Sequence, residues 1–315
     1  MRFIKIIIFI IIALFVSRAV ILYIVPDQVV EILLNLERKR CGLIKKEITL
    51  PDGIRYVYLE GGEGEPLMLL HGFGANKDNF TRIAKYLTPH YRVIAVDHAG
   101  FGESSHPEGA DYSPPAQVDR LRRLAKALGI KKLHLGGSSM GGHIAMTWAA
   151  FYQDEISSLW LLAPGGVWSA PKTELNTIIQ NTGRNPLMAE NEDEFRQLFD
   201  HVMTDPPYVP QLFINVFAKE RIKNFKLEGI IFRQLITDSV EKRVKGLETP
   251  TLIVWGEKDR VLHMGAADIL DQLMPNAKVI VMKDTGHLPM LEAVRQTADD
   301  YLSFREEINA KTILN

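Results

Sequence analysis

The chain has 315 residues, of which 46% are hydrophobic and 24% charged. This length and hydrophobic content are enough for one large α/β domain with an insertion. The formal net charge of −1 and the lack of a basic stripe interleaved with aromatic residues argue against nucleic-acid binding. A single cysteine, Cys41, excludes an intrachain disulfide, and no Cys/His cluster has the spacing of zinc ligands. We therefore expect no zinc site of this type.

The first 25 residues differ from this globular composition. Residues 6–25 read IIIFIIIALFVSRAVILYIV, in which Ser17 and Arg18 are the only polar members. A helix of that length rises about 30 Å, the thickness of the hydrocarbon core of a bilayer, so we predict a transmembrane anchor over residues 1–25. The alternative is a cleaved signal peptide, with the small residues Ser17 and Ala19 before the cleavage site.

Charged residues predict the orientation of this segment. Arg2 and Lys5 precede the apolar run, so its start is expected on the cytoplasmic side and everything after Val25 across the membrane. Arg18 costs about 2.5–3.5 kcal/mol at mid-membrane, and pairing with a second helix would lower that cost.

A juxtamembrane amphipathic helix is predicted over residues 26–42, because Pro26 is well placed to begin a helix. Apolar residues then recur on one face at helical spacing: Val29, Ile32, Leu33 and Leu36. This face has three possible partners, namely the rest of the chain, lipid, or a second copy of the protein. We expect a symmetric homodimer through residues 3–38.

Strand and helix patterns alternate from residue 43 onward. A hairpin is predicted first, with strands at Ile48–Leu50 and Arg55–Leu59 around an Asp-Gly turn. The further predicted strands are Pro66–Leu70, Arg92–Val96, Lys132–Leu135, Ile156–Leu162, Thr251–Trp255 and Lys278–Met282. The predicted helices are Asp78–Leu87, Pro115–Leu128, Gly142–Phe151, Ala266–Met274 and Ala293–Glu307. This alternation is typical of a mostly parallel sheet flanked by helices.

The alternation breaks between residues 164 and 248, where the pattern is helical only. Three helices are predicted there: Glu192–Met203, Val209–Arg221 and Leu227–Arg243. Asn224 marks the break between the last two. We interpret residues 164–248 as a helical cap inserted into a core formed by residues 43–163 and 249–315. Apolar cap residues that are not used in packing are expected to line a cleft suited to an acyl chain.

A Gly-x-Ser-x-Gly match follows one of the short apolar runs, at Gly137-Ser138-Ser139-Met140-Gly141, and a helical pattern comes next. A strand that reverses into a helix within a few residues needs small residues around the turn. They let the backbone approach closely while the serine hydroxyl stays exposed. We therefore predict Ser139 as a nucleophile, since Ser138 does not satisfy the spacing.

Three further segments follow predicted strands and are expected to meet Ser139: His71-Gly72-Phe73-Gly74, Asp259 and His287. Open α/β sheets bind ligands at the carboxyl ends of their strands, so these distant segments converge. The chain order serine, acid, histidine is that of α/β-hydrolases, whereas other serine-triad folds run differently.

At these motifs the sequence resembles the serine α/β-hydrolases. The similar blocks are Pro66–Gly74, Asp97–Ser104, Gly137–Gly142, Gly256–Asp259 and Gly286–Glu292. The strings HGFGANKDNFTRIA, SSLWLL, TPTLIVWGEKD and TGHLPMLEA are similar to bacterial lipases and to monoacylglycerol-lipase-like hydrolases. Together with the apolar amino terminus, they resemble the bacterial membrane-anchored phospholipase A1 group. The likeness covers residues 43–307 and is weak across the cap.

The resemblance implies an α/β-hydrolase fold with an inserted cap, and a Ser-His-Asp triad without cofactor. Ser139 would attack an ester carbonyl, His287 would take its proton and return it to the leaving alcohol, and Asp259 would orient the imidazole. The backbone N–H groups of Phe73 and Met140 would form the oxyanion hole.

Asp97 and Asp284 are the rival carboxylates for the triad. Asp97 precedes Ser139 and so breaks the chain order, whereas Asp284 lies too near His287 in sequence for a separate strand-end contact. Dehalogenases and epoxide hydrolases of similar fold need a carboxylate at the elbow, where this chain has a serine. An inactive hydrolase fold used as a binding module would lack a triad member, and here none is missing.

The predicted function is hydrolysis of lipid esters by a membrane-anchored phospholipase A or lysophospholipase, with a fatty acid as product. An enzyme held at a bilayer meets lipid at high effective concentration, which favours a lipid substrate. Monoacylglycerol lipase or general carboxylesterase activity is the second reading, and a soluble-substrate C–C bond hydrolase or peptidase is the third. The resemblance implies a single-pass protein of the bacterial inner membrane with its catalytic domain on the periplasmic side.

Overall fold

The structure of the protein, a computed structural model, describes residues 25–314. The predicted anchor lies outside the described residues except for Val25. Between residues 25 and 314, no helix is both long enough and apolar enough to cross a membrane.

One eight-stranded sheet organises the described chain. Its strands are β1 (Ile44–Thr49), β2 (Arg55–Gly61), β3 (Pro66–Leu70), β4 (Arg92–Val96), β5 (Leu133–Ser138), β6 (Ile156–Leu162), β7 (Thr251–Gly256) and β8 (Ala277–Met282). Their spatial order is β1-β2-β4-β3-β5-β6-β7-β8. The pairs β1/β2 and β2/β4 are antiparallel and the other neighbours are parallel, which confirms the predicted mostly parallel sheet.

Helices precede, separate and follow the strands. In chain order they are α1 (Pro26–Arg40), α2 (Thr81–Leu87), α3 (Pro114–Ala127), α4 (Met140–Phe151), α5 (Glu174–Thr182), α6 (Glu192–Val202), α7 (Gln211–Ile236), α8 (Glu241–Val244), α9 (Gly265–Leu273), α10 (Pro289–Glu292) and α11 (Val294–Leu314). Short 3-10 turns lie at Lys77–Phe80 and Gln153–Glu155. Helices α5, α6 and α7 fall between β6 and β7, in the stretch interpreted above as a cap.

Apolar cores lie against both faces of the sheet. Successive side chains of a strand point to opposite faces, so a central strand contributes to both cores. In β3, Met68 and Leu70 belong to the core that includes residues of α3 and α4. Leu67 and Leu69 belong to the core that includes residues of α2 and α11. A strand buried on both faces reads as a continuous apolar run, which is why Pro66–Leu70 shows no polar alternation.

The predicted hairpin is present but longer than its sequence pattern. Strands β1 and β2 pair from Ile44 opposite Glu60 to Thr49 opposite Arg55. The turn between them is closed by the N–H of Gly53, which donates to the Leu50 carbonyl at 2.9 Å. Strand β1 lies at the sheet edge and is largely polar and exposed, so only its last residues carry an apolar strand pattern.

The predicted break at Asn224 is wrong. Helix α7 runs through this position without interruption over 26 residues. Asparagine in a helix interior costs only about 0.7 kcal/mol relative to alanine. Ile214 and Ile231 of the same helix are each 1% exposed, and burying one such side chain contributes about 1.5–3 kcal/mol. Tertiary packing therefore outweighs the local preference.

Helix α5 is absent from the prediction. It begins after Thr173, whose backbone N–H donates to Asn176 Oδ1 at 2.9 Å, and it ends at Gly183 with φ +70°. Leu175 packs it against the rest of the cap. The capping pattern uses asparagine where glutamate or glutamine is the usual signal, which explains why it was not found.

Helix α1 forms as predicted, and it contacts α2, α7 and β1. It is held to the domain by Val30 and by Arg38, whose Nε and Nη2 lie 2.7 and 2.6 Å from the Asp78 carboxylate. Three residues of the predicted apolar stripe are 59%, 43% and 50% exposed: Ile32, Leu33 and Leu36. The alternative in which this face packs on the rest of the chain is wrong for these residues, because the Arg38 pair turns them outward.

Candidate active site

Strand β5 passes into helix α4 at Ser139 with almost no connecting chain. Ser139 has φ +52° and ψ −117°, a backbone conformation that non-glycine residues adopt only when the surrounding structure imposes it. A Cβ on Gly137 would lie 2.3 Å from the Gly141 carbonyl oxygen, and one on Gly141 would lie 2.0 Å from the Leu70 carbonyl oxygen. The glycines of the Gly-x-Ser-x-Gly pattern are therefore a steric requirement of this turn.

The backbone of Ser139 is fixed on both sides. Its N–H donates to the Leu162 carbonyl at 3.0 Å, and its own carbonyl accepts from the N–H groups of His143 at 3.0 Å and Gly165 at 2.9 Å. Ser139 lines a cavity, whereas Ser138 is fully buried and its hydroxyl has no partner among the described residues. Of the two serines, only Ser139 is accessible from the cavity.

His287 and Asp259 meet beyond the ends of β8 and β7. His287 Nδ1 lies 2.7 Å from Asp259 Oδ2, and the two side chains are 4% and 0% exposed. A carboxylate only accepts, so Nδ1 donates, and in the neutral imidazole Nε2 is then the acceptor. Asp259 Oδ1 accepts the backbone N–H groups of Val261 at 2.8 Å and Leu262 at 3.0 Å, which fix the carboxylate. His287 lines the same cavity as Ser139.

The rival carboxylates lie elsewhere. Asp97 is fully buried, and its Oδ2 is 2.9 Å from Lys77 Nζ. Asp284 has a side chain that is 79% exposed, and it pairs with Lys258. Of these three aspartates, only Asp259 contacts His287 among the described residues.

Phe73 and Met140 present two backbone N–H groups next to Ser139. Met140 is the first residue of α4, so its N–H has no acceptor within the helix. The N–H of Phe73 has no acceptor among residues 25–314. A Cβ on Gly72 would lie 3.2 Å from Ser139 Cβ and 3.8 Å from its Oγ, so the loop before Phe73 passes against the serine. The structure thus brings both predicted oxyanion donors to the elbow.

The side chain of His71 orients the peptide group that carries the Phe73 N–H. His71 Nδ1 donates to the Gly72 carbonyl at 2.7 Å, and its Nε2 accepts from the His98 N–H at 3.1 Å. The Gly72 carbonyl and the Phe73 N–H belong to one peptide plane, so the first bond sets the direction of that N–H. Burial lowers the pKa of His71 to about 3, so the ring stays neutral and keeps one donor and one acceptor.

The same loop is held from the cap by Arg221. Its Nη1 donates to the Gly74 carbonyl and its Nη2 to the Leu187 carbonyl, both at 2.6 Å. Its Nε and Nη2 also pair with the Glu228 carboxylate at 2.6 and 2.9 Å. Arg221 is 8% and Glu228 2% exposed, so this is a buried and well-satisfied pair.

Ser139 and His287 line a cavity of about 470 Å³ that core and cap residues share. This volume is in the range of sites that hold a drug-sized ligand. Much of its wall is apolar and comes from the cap: Phe195, Leu198, Phe199, Phe213 and Phe217. Helix α1 contributes Leu34. The predicted cleft for an apolar chain is therefore present beside the serine.

Comparison with known proteins agrees with this geometry. The family described as the alpha/beta hydrolase fold matches residues 65–294. The chain belongs to the α/β-hydrolase family.

Two curated relatives are named as lipases. Lipase 1 of Psychrobacter immobilis is 44% identical over 287 residues, which cover 89% of each chain. Lipase 3 of Moraxella sp. (strain TA144) is 45% identical over 282 residues, covering 87% of this chain and 88% of the relative. The crystal structure of a membrane phospholipase A is similar, with a TM-score of 0.88, 35% identity, and coverage of 97% of this chain and 99% of that one. These findings confirm the predicted resemblance to lipases and the prediction of a carboxylic ester hydrolase.

A partly buried ion-pair network runs from α1 to the loop after β4 in this α/β-hydrolase. Lys77 Nζ lies 2.9 Å from Asp97 Oδ2 and 2.8 Å from Glu103 Oε1. Lys45 Nζ connects Glu103, at 2.9 Å, to Glu31 of α1, at 2.6 Å. Asp97 also accepts the backbone N–H groups of Lys77 and Glu103. Asp97 is therefore a structural carboxylate that shapes the loop after its strand.

The network determines the pKa of Glu103. Burial raises this pKa, but the charge and hydrogen bond of Lys77 and the hydrogen bond of Lys45 outweigh burial and lower it to about 2. The folded-state pKa is thus below the unfolded value of about 4.3. The contribution of Glu103 to stability is present above that value and is lost as the pH falls toward about 2.

Glu103→Gln is expected to lower Tm by roughly 2 °C above about pH 5. The Glu103 side chain is 42% exposed, so solvent screening limits its contribution to about 1 kcal/mol. The difference from wild type should shrink as the pH falls toward about 2, and thermal melts across the pH range measure it. Glu47→Gln, which removes the exposed partner of Arg55, is the matched control with little expected effect. A Tm difference that does not depend on pH would contradict the pKa assignment.

Residues 71–74, which carry the Phe73 N–H, are called the oxyanion loop below. The side chains that orient this loop were not predicted from the sequence. His71 has no separate role in the prediction, although a histidine directly after a buried strand and before Gly-Phe-Gly is a detectable signal. Arg221 and Glu228 were assigned to two helices separated at Asn224. The two side chains can pair because α7 is continuous and places them on one face of the same helix.

Proposed function

We propose that this α/β-hydrolase cleaves carboxylic esters of lipids, with Ser139 as nucleophile, His287 as general base and acid, and Asp259 orienting His287. The observation that carries the proposal is the shared cavity. Ser139 at the strained elbow and His287, hydrogen-bonded to Asp259 at 2.7 Å, line the same largely apolar space. A serine and a base that line one largely apolar cavity suit attack on an ester with an apolar acyl chain.

The proposed reaction proceeds through an acyl-enzyme. His287 Nε2 takes the hydroxyl proton while Ser139 Oγ attacks the carbonyl carbon, and the N–H groups of Phe73 and Met140 stabilise the oxyanion. The tetrahedral intermediate collapses, the C–O bond to the alcohol breaks, and His287 gives the proton to the departing alcohol oxygen. Water then attacks the acyl-enzyme with His287 as base, which releases the fatty acid and restores Ser139.

The proposed substrates are membrane lipids or lipids derived from them, with phospholipase A or lysophospholipase activity first. The apolar cap residues around the cavity support a long acyl chain. The relatives named as lipases and the structurally similar membrane phospholipase A also support this class. Monoacylglycerol lipase or general carboxylesterase activity is the second reading.

A substrate panel tests the proposal. Full-length protein in mild detergent is assayed for fatty-acid release from a phospholipid, a lysophospholipid and a monoacylglycerol, and beside them a short nitrophenyl ester and a peptide. We expect the long-chain lipid esters to be cleaved, and a serine-reactive phosphonate, but not a chelator, to stop the reaction. Activity on short soluble esters or peptides alone would contradict a lipid substrate. Activity on the monoacylglycerol but on neither phospholipid would favour the second reading.

We further propose that residues 1–25 anchor the enzyme in the bacterial inner membrane as a single span, with the catalytic domain on the periplasmic side. The apolar run over residues 6–25 and the preceding Arg2 and Lys5 support this orientation. The full-length protein is expected to stay in the membrane fraction after an alkaline wash, and a variant without residues 1–25 is expected to leave it. A mature protein that begins near Val20 would contradict the anchor and indicate a cleaved signal peptide.

We propose that the protein forms a homodimer through residues 3–38, in which the exposed apolar stripe on α1 is buried. Replacing its three exposed residues by serine is expected to weaken self-association roughly tenfold or more, because their apolar area would no longer be buried. The residues are Ile32, Leu33 and Leu36. Val30 and Arg38 remain, so α1 stays on its domain. Cross-linking in mild detergent at several concentrations measures the effect, with Ile236→Ser as an exposed apolar control at the far end of α7. A full-length protein that is monomeric at every concentration contradicts the dimer.

A further inference from the structure

The cavity face of α7 changes from apolar to polar along the helix. Residues of α7 spaced three or four positions apart line the cavity: Phe213, Phe217, Glu220, Asn224 and Glu228. The two phenylalanines come first, and the polar residues follow in the next turns. At 1.5 Å per residue, Asn224 lies about 10 Å along the axis from Phe217. One wall of the cavity therefore has an apolar end and a polar end.

The two ends of this wall adjoin different parts of the site. Phe217 packs with Phe195 in an apolar cluster of the cap. At the polar end, Arg221 donates to the Gly74 carbonyl of the oxyanion loop, which passes against Ser139. An ester bound at Ser139 with its acyl chain along the phenylalanines would leave its alcohol part for the polar end.

One carboxylate at the polar end has no hydrogen-bond or ion-pair partner in the part of the chain that the structure describes. The other cavity-lining carboxylates each have an arginine at 2.6–2.8 Å: Glu37, Asp78 and Glu228. The Glu220 carboxylate makes no ion pair or hydrogen bond within residues 25–314. The neighbouring Arg221 does not pair with Glu220, because its guanidinium is hydrogen-bonded to Glu228 and to two backbone carbonyls.

A half-buried carboxylate without a partner is unfavourable. Burial raises the pKa of Glu220, and the negative charge of Asp97 raises it further, which together outweigh the lowering by the positive charge of Lys77. Both effects are relieved when a ligand donates a hydrogen bond to the carboxylate or places a positive charge beside it.

We propose that Glu220 and Asn224 form a head-group subsite that selects esters whose alcohol part carries a hydrogen-bond donor. The donor is either a free hydroxyl, as in a glycerol ester, or the ammonium of an amino alcohol. This inference rests on the ester hydrolysis by Ser139 proposed above. Glu220 is then a specificity-determining residue that holds the leaving alcohol, while the acyl chain lies along Phe213 and Phe217.

Palmitate esters with alcohols of similar size separate the two sources of the donor. Propyl palmitate has no donor, 1-monopalmitoylglycerol has free hydroxyls, and 2-(dimethylamino)ethyl palmitate carries a protonated amine at neutral pH. For each ester, kcat/KM is measured with full-length protein in mixed micelles, and the active fraction is titrated with a serine-reactive phosphonate. The proteins are wild type, Glu220→Gln, Glu220→Leu, and Asp200→Leu as a control at an exposed position of α6 that does not line the cavity.

Glu220→Leu is expected to lower the ratio of kcat/KM for a donor ester to kcat/KM for the propyl ester about tenfold. Glu220→Gln keeps a hydrogen-bond acceptor but removes the charge. If the ratio for 1-monopalmitoylglycerol is preserved in this variant, the donor is the hydroxyl. If the ratio for 2-(dimethylamino)ethyl palmitate is lost, the donor is the ammonium. Unchanged ratios in Glu220→Leu, or an equal fall for all three esters, would overturn the subsite. If wild type cleaves none of these esters, the proposed ester hydrolysis itself fails, and the subsite with it.

Discussion

Ser139→Ala is expected to lower kcat by roughly 10⁴- to 10⁶-fold and to leave the protein folded. The substitution removes the oxygen that attacks the ester, and the members of such a triad act as one unit, so His287→Ala should cause a comparable loss. The fold is expected to persist because the contacts of Ser139 to Leu162, His143 and Gly165 use only backbone atoms. Fatty-acid release from a long-chain ester measures the loss, and circular dichroism measures the fold.

Ser138→Ala is the matched control for the nucleophile. The Ser138 hydroxyl is fully buried and has no partner among the described residues, so its removal deletes only a desolvated polar group. Turnover is expected to stay within about threefold of wild type, since the side chain reaches neither cavity nor triad. Comparable losses in the two serine variants, or turnover in Ser139→Ala close to that of wild type, would refute Ser139 as the nucleophile.

Asp259→Asn is expected to lower kcat by about 10⁴-fold with little change in the fold. Asp259 Oδ1 accepts two backbone N–H groups, those of Val261 and Leu262, and an asparagine oxygen can take over that position. The asparagine NH₂ would then face His287 Nδ1, which must become an acceptor. The ring proton moves to Nε2, and His287 can no longer take the proton of Ser139.

Asp284→Asn is the matched control for the acid, because Asp284 is the rival carboxylate nearest to His287 in sequence. Its side chain is 79% exposed and contacts Lys258 rather than the histidine. Asparagine also tolerates its positive φ of +53°. We expect kcat within about threefold of wild type, as for a surface substitution. Loss of activity in Asp284→Asn together with retention in Asp259→Asn would reverse the assignment of the acid.

The parts of the fold that were predictable from sequence are those that depend on neighbours in the chain. Strand β3 was recognisable because its five successive residues are all apolar, and the last four are buried on both sheet faces. The elbow was recognisable because Gly137 and Gly141 are needed wherever backbone passes so closely. The cap was less predictable, since Asn224 carries a local signal for a break that packing of α7 overrides.

In the candidate active site, too, some residues were predictable from the sequence and others were not. The catalytic candidates Ser139, Asp259 and His287 each follow a strand, and parallel topology brings strand ends to one edge. The supports of the oxyanion loop have no such regularity. Arg221 reaches Gly74 from 147 positions away in the chain, and no local pattern specifies that partner.

By itself, then, the sequence of this protein determined the alternating sheet, the elbow at Ser139 and the order of the strand-end residues, because each is marked by a pattern of consecutive residues. Only the tertiary structure decided which charges pair and which apolar faces stay exposed. Arg38 is buried on Asp78 and turns Leu36 outward, while Arg221 pairs with Glu228 and leaves the Glu220 carboxylate without a hydrogen-bond or ion-pair partner among residues 25–314. These outcomes depend on how each helix is rotated against the core, and that rotation is set by packing between segments distant in the chain.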